Sequence, residues 1–171
     1  HLDTLPCVPN PIVSERVSPK YGNRAIGITD LVENDKQYHW GHSNPNGFAD
    51  WFIDRQRAAF NRIAALRKQE LVRRNPTVFA SVADVPDQLV RTPLQRAVQI
   101  LKRHRDVRFS GHPNEDDKPI SIIITTLAAL AYEQESDIFS ALANILDKIQ
   151  RYQDTEVIRC VDGKWFIENP T

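Results

Sequence analysis

The 171 residues carry 22 lysines and arginines against 22 aspartates and glutamates, and 41% of them are hydrophobic. That is apolar material for one domain or two small lobes, and the zero net charge excludes a strongly basic or acidic protein built around bulk charge. Cys7 and Cys160 have no matching Cys or His pairs, which excludes a zinc site and a disulfide framework and leaves free thiols in a reducing cytosol as the expectation.

The first element is a strand over residues 1–8, where Leu2, Thr4 and Pro6 alternate with Asp3, Leu5 and Cys7. After Pro9 and Pro11, Ala25–Thr29 reads as a second strand, Asp30–Asp35 as an acidic turn, and residues 40–47 as a loop. Ser43 or Asn44 can cap the next helix, with Pro45 in its first turn. That helix spans Gly47 to about Arg74, with Phe48, Trp51, Phe52, Ala59, Ile63 and Leu66 on its core face, and Asn75-Pro76 ends it. Residues 77–91 form a linker. Thr92-Pro93-Leu94-Gln95 is a capping box opening a helix to about Asp106, with Leu94, Ala97, Val98 and Leu101 inward. Beyond the polar loop Gly111–Asp116, Asp117 is expected to cap a helix that continues to Tyr132 and is apolar almost all round, the buried centre of a bundle. Ser136 or Asp137 caps a last helix to about Tyr152, and Val157–Ile167 reads as a hairpin turning at Asp162-Gly163. The longest apolar run, Ile120–Tyr132, is broken by Ser121, Thr125 and Thr126, so no stretch approaches a membrane span. With no targeting segment in view, a cytoplasmic protein is expected.

Three features could carry chemistry. A carboxylate inside a strand is costly unless paired or bound to metal, which makes Asp3 a candidate metal ligand. Lys102, on the helix from Leu94, and Ser121, in the first turn of the next, could clamp a phosphate between a cation and a helix start. A solvated lysine and a serine bonded back to its own helix are the competing readings. The run Arg91, Arg96, Lys102, Arg103, His104, Arg105 and Arg108, opposed by Asp106, could face a phosphate-bearing ligand or be a solvated helix face. Trp51 reads as core, whereas Trp40 could pack or stack on a base. His39 and His42 lack a third ligand, and Asp116 and Asp117 read as exposed acid and cap.

Five blocks in order resemble the bacterial cGAS/DncV-like nucleotidyltransferases, relatives of oligoadenylate synthase in the polymerase-β-type superfamily. His1-Leu2-Asp3-Thr4-Leu5-Pro6 resembles the strand with the third metal-binding aspartate. Trp40 with the stretch Ser43–Phe52 resembles the way out of the catalytic core. The stretch Thr92–Asp106 is similar to the helix bearing a triphosphate-binding lysine, and Asp117–Leu127 to the helix bearing the phosphate-binding serine. Trp165–Pro170 resembles the closing hairpin.

The resemblance implies an α+β fold: a remnant of a nucleotidyltransferase-core β-sheet packed on a C-terminal oligoadenylate-synthase-like helical bundle with a closing β-hairpin. It divides the chain into 1–75, the rest of the core with its connecting helix, and 76–171, the helical nucleotide-binding domain. The implied parent condenses nucleoside triphosphates (ATP, with GTP, UTP or CTP) into a cyclic oligonucleotide second messenger for anti-phage signalling. Asp3 would be catalytic and hold Mg²⁺ or Mn²⁺, and Lys102 and Ser121 would bind the triphosphate. No membrane or nucleic acid is expected, and a regulatory protein partner is allowed. The family's Gly-Ser loop and Asp-x-Asp strand do not occur before Asp3. The expectation is therefore a chain truncated at its N-terminus and at its C-terminus, inactive by itself. The aromatic that some members carry beside the serine is Ile122 here. The alternative is a non-catalytic nucleotide-binding or assembly module.

Overall fold

The computed structural model describes residues 7–10, 19–32, 37–153, 155–162 and 164–171. They form two compact units, one of residues 1–54 with 169–171 and one of residues 55–168. Both helix and sheet are present, so the fold is α+β.

In the first unit β1 (Cys7–Pro9), β2 (Ile26–Val32) and β3 (Gln37–Ser43) make an antiparallel sheet in that order. Cys7 pairs with Ile28, Ile26 with Ser43, and Val32 with Gln37. Two expectations are corrected. Asp30–Val32 continues β2 rather than turning, and Trp40–Ser43 is strand rather than loop. Gly41 and the Ser-Asn-Pro that follows read as loop residues. The backbone pairing with β2 overrides that local preference.

Helix α1 (Pro45–Arg74) begins two residues before the expected Gly47, and Asn44, one of the two expected caps, caps it. The Asn44 Oδ1 accepts the Gly47 N–H at 3.1 Å, and its Nδ2 donates to the Tyr21 carbonyl at 2.9 Å. A Cβ on Gly47 would overlap both the Asn44 side chain and the Tyr21 oxygen. Trp51 is buried against Phe48, ring centres 5.4 Å apart, as its place on the apolar stripe suggested. Leu66 departs from expectation: it is 70% exposed.

In the second unit α2 (Pro93–Phe109), α3 (Ser121–Ala131) and α4 (Ile138–Arg151) pack on one another. The Thr92 hydroxyl accepts the Gln95 N–H at 3.2 Å, and Gln95 Oε1 accepts the Thr92 N–H at 3.0 Å, completing the capping box. Leu94, Ala97 and Val98 are buried, as are Leu127, Ala128, Ala129 and Ala131 of α3. The alanines let neighbouring helices approach closely. Asp137 caps α4 through the Ser140 N–H at 2.9 Å, and Ala141 and Ile145, one turn apart, are its buried residues. β4 (Ile158–Val161) and β5 (Lys164–Ile167) form the expected hairpin, with Asp162 at φ 51° in its turn.

Helix α3 differs from its expected form. It begins at Ser121, with Ile120 as a cap that supplies no side chain, and Asp117 ends a separate 3₁₀ turn, Glu115–Asp117. Pro119 and Ile120 intervene, and Ile120 is extended, so the Asp117 side chain has no role at the helix start. Burial covers only the C-terminal part of the helix: Ile120 and Ile122 are 64% and 41% exposed. Among the described residues no helix is long and apolar enough to cross a membrane.

Gly47→Ala, a helix-favouring change elsewhere, should destabilise the fold by about 1–3 kcal/mol, because the cap and the Tyr21 carbonyl cannot both remain. A lowered melting temperature checks it. At the end of α3, the Tyr132 hydroxyl donates to the Glu135 carbonyl at 2.8 Å. Burial pushes this phenol up to about 12, Glu135 adds to the shift, and Arg62 opposes it. The fold thus favours the neutral phenol, so this stabilisation is intact below the ordinary value near 10 and is lost as pH rises toward about 12. Denaturant titrations between those limits should show wild type losing stability more steeply than Tyr132→Phe.

Candidate anion-binding site

The site grows from the junction of α2 and α3. Lys102 sits on α2, half-buried, and among the described residues no hydrogen bond or ion pair holds its ammonium. Burial lowers its pKa, and the positive charge of Arg105 lowers it further. An ammonium kept partly from water beside another cation is an unmet demand for an anion.

Arg105, one helical turn on, carries most of the geometry. Its Nη1 donates to the Pro119 carbonyl and to Ser121 Oγ, both at 3.0 Å. Its Nε and Nη2 donate to Asp106 Oδ1 at 3.0 and 2.8 Å. Lys118 Nζ lies 2.9 Å from the same oxygen. Lys118 first and Arg105 second hold the Asp106 carboxyl below the usual carboxylate range. One acid therefore serves two cations, and Lys102 adds a third charge with no acid of its own.

Ser121 is the exposed first residue of α3. An arginine can only donate, so Ser121 Oγ accepts from it and keeps its own O–H to give elsewhere. Ser121 does not bond back to its helix through its hydroxyl; its carbonyl instead accepts from Thr125 Oγ1 at 2.9 Å. The first inward backbone bond of α3 runs from the Ile123 N–H to the Ile120 carbonyl at 3.2 Å. The N–H groups of Ser121 and Ile122 have no acceptor among the described residues. Two N–H groups and a hydroxyl proton with no acceptor among the described residues stand where the helix dipole is positive, a setting that favours an anion.

The residues singled out from the sequence fare differently. Ser121 is bonded to Arg105, whereas Lys102 feels Arg105 only through its charge, and among the described residues no bond joins Lys102 to Ser121. Asp3 lies outside the described residues. Asp116 and Asp117 are both exposed, and Asp117 caps nothing. Trp40 is 62% exposed and lies over Gly27 of β2. His42 Nδ1 is 2.9 Å from Asn10 Nδ2. No three His, Cys, Asp or Glu side chains among the described residues gather as a metal site would require. Cys7 and Cys160 are free and exposed. In the sequence Arg105 reads as one charge in a basic run. Its place one turn beyond Lys102, on the edge of the core face, was the signal available.

The chain is similar to a c-di-GMP synthase. The relative, from Roseivirga ehrenbergii, is 34% identical over 135 residues, which make up 79% of this chain and 32% of the relative. The chain thus spans about a third of the length of the curated protein it matches. No protein-family model matches it, and no solved structure matches it.

Arg105→Ala would strip the Pro119 carbonyl and Ser121 Oγ of their donor and leave Lys118 alone on Asp106. A loss of about 1–3 kcal/mol is expected. Faster amide exchange should concentrate at Ile123, whose N–H makes the first inward bond of α3. Arg105→Lys should recover only part, because an ammonium cannot reproduce the forked contacts.

Proposed function

We propose that the chain is the donor-nucleotide-binding part of a nucleotidyltransferase that makes a cyclic dinucleotide, with nucleoside triphosphates as substrates. The observation that carries this reading is the similarity to a c-di-GMP synthase across most of the chain. On that similarity GTP becomes the first substrate to test, ahead of ATP. The α2–α3 junction supports the reading by offering what a triphosphate needs: the Lys102 ammonium, the Ser121 hydroxyl and the open N–H groups of α3.

The finer parts of the reading rest on the family resemblance. They are the nucleotidyltransferase-core arrangement of the sheet, the division at residues 75 and 76, a cytoplasmic location, a role in anti-phage signalling, and two-metal phosphoryl transfer with Asp3 holding Mg²⁺ or Mn²⁺. The described residues offer no metal cluster, so no step is assigned through the ion here. The chemistry assigned to this chain is binding and orientation. Lys102 offsets phosphate charge, Ser121 donates to a phosphate oxygen, and Arg105 holds Ser121 in place.

Titration of the chain with GTP, and separately with ATP, checks the reading. Lys102→Ala and Ser121→Ala should each weaken GTP binding about tenfold, in line with losing a charge-assisted hydrogen bond. Unchanged affinity in both variants would overturn the assignment of the clamp.

A further inference from the structure

The solvent face of α2 carries a second cationic feature that the α2–α3 junction does not use. Arg96, Ile100, Arg103 and Val107 recur at helical spacing, opposite the buried Leu94, Ala97 and Val98. Arg91, Arg96 and Arg103 line a groove of about 470 Å³ with Ile100 and Ile138 among them. Among the described residues the guanidinium of none of these three arginines has a hydrogen bond or ion pair. An isoleucine 45% exposed and a valine 61% exposed lie along the same stripe. Arginines around apolar residues make the composition of an interface centre.

The complement lies in the same unit. Glu115, Asp116 and Asp117 form an exposed 3₁₀ turn whose side chains have no partner among the described residues, and Ile120, 64% exposed, follows. An acidic turn with an apolar anchor is the shape of occupant the arginine groove asks for. The two patches are neighbours, because Arg103 also lines a second groove whose wall includes Glu115, yet no ion pair joins them. The zero net charge of the chain removes long-range repulsion between copies.

We propose that two copies of this chain associate, the Glu115–Asp117 turn and Ile120 of each seated in the Arg91–Arg96–Arg103 groove of the other. A two-fold pair satisfies both grooves at once, the commonest symmetry of soluble assemblies. A nucleic-acid occupant fits less well, since the apolar residues would meet phosphates and the stripe is short.

Sedimentation velocity tests this on the chain as it is. Mass should rise toward the dimer over roughly 1–200 µM at low salt, and fall back at about 0.5 M salt, where exposed charges are screened. Arg96→Glu with Arg103→Glu should be monomeric, and so should Asp116→Lys with Asp117→Lys. An equimolar mixture of the two variants restores opposite charges at both contacts and should regain the dimer. If a reversed variant fails to melt cooperatively, Arg96→Gln with Arg103→Gln replaces it and should weaken association about tenfold. A wild type that stays monomeric, reversals without effect, or a mixture that stays monomeric overturns the proposal. So does Arg96- and Arg103-dependent binding of a single-stranded oligonucleotide without self-association. The readout is mass, so it stands apart from nucleotide binding at Lys102 and Ser121.

Discussion

Helix α3 is held at both ends by arginines from other helices, and much of the second unit depends on that. A helix leaves unsatisfied carbonyls at its end, and this one ends among buried alanines. The Arg55 guanidinium takes the Ala129, Leu130 and Tyr132 carbonyls at 2.8, 3.3 and 3.1 Å. A cation there also suits the negative end of the helix dipole. At the other end Arg105 is a cation where the dipole is positive. It is tolerated because its contacts are oxygens: the Pro119 carbonyl, Ser121 Oγ and the Asp106 carboxylate. The first N–H groups of α3 stay open.

Gln134 adds to the same framework. Its Oε1 accepts the Ala59 N–H at 2.9 Å, while its Nε2 donates to the Arg55 carbonyl, so one side chain enters the ladder of α1. Its own backbone sits at φ 67°, a conformation that costs a non-glycine residue of order 1 kcal/mol and persists only where contacts enforce it. The segment after α3 is thereby tied to the arginine that caps α3.

Features decided within a few residues were readable from the sequence. The Thr92–Gln95 box, the Asn44 and Asp137 caps and the Asp162 turn each follow from local hydrogen bonds and local backbone preference. Features decided by distant partners were not. β3 looked like a loop because its pairing with β2 is not written in Trp40–Ser43. Asp117 looked like a cap because it precedes an apolar run, but Pro119 and the extended Ile120 come between it and the helix. The outward turn of Leu66 likewise depends on what α1 packs against. At the site, Lys102 and Ser121 were visible as residue types. The role of Arg105 was not, since its contacts cross from α2 to the residues before α3.

The chemistry at Ser121 turns on which way its hydroxyl donates. A serine at a helix start, left alone, tends to bond the backbone of its own first turn. Here a donor that cannot accept occupies the oxygen, so the proton points away from Arg105. Burial lowers the Lys102 pKa, and the same guanidinium lowers it further. Arg105 therefore acts on both neighbours without itself contributing a free hydrogen bond. It leaves the Ser121 hydroxyl to donate outward. The arginines on the far face of α2 stand beside Ile138, the first residue of α4, whose start is already capped by Asp137. The α2–α3 junction offers directed donors, whereas the outer stripe offers spread-out charge and apolar area.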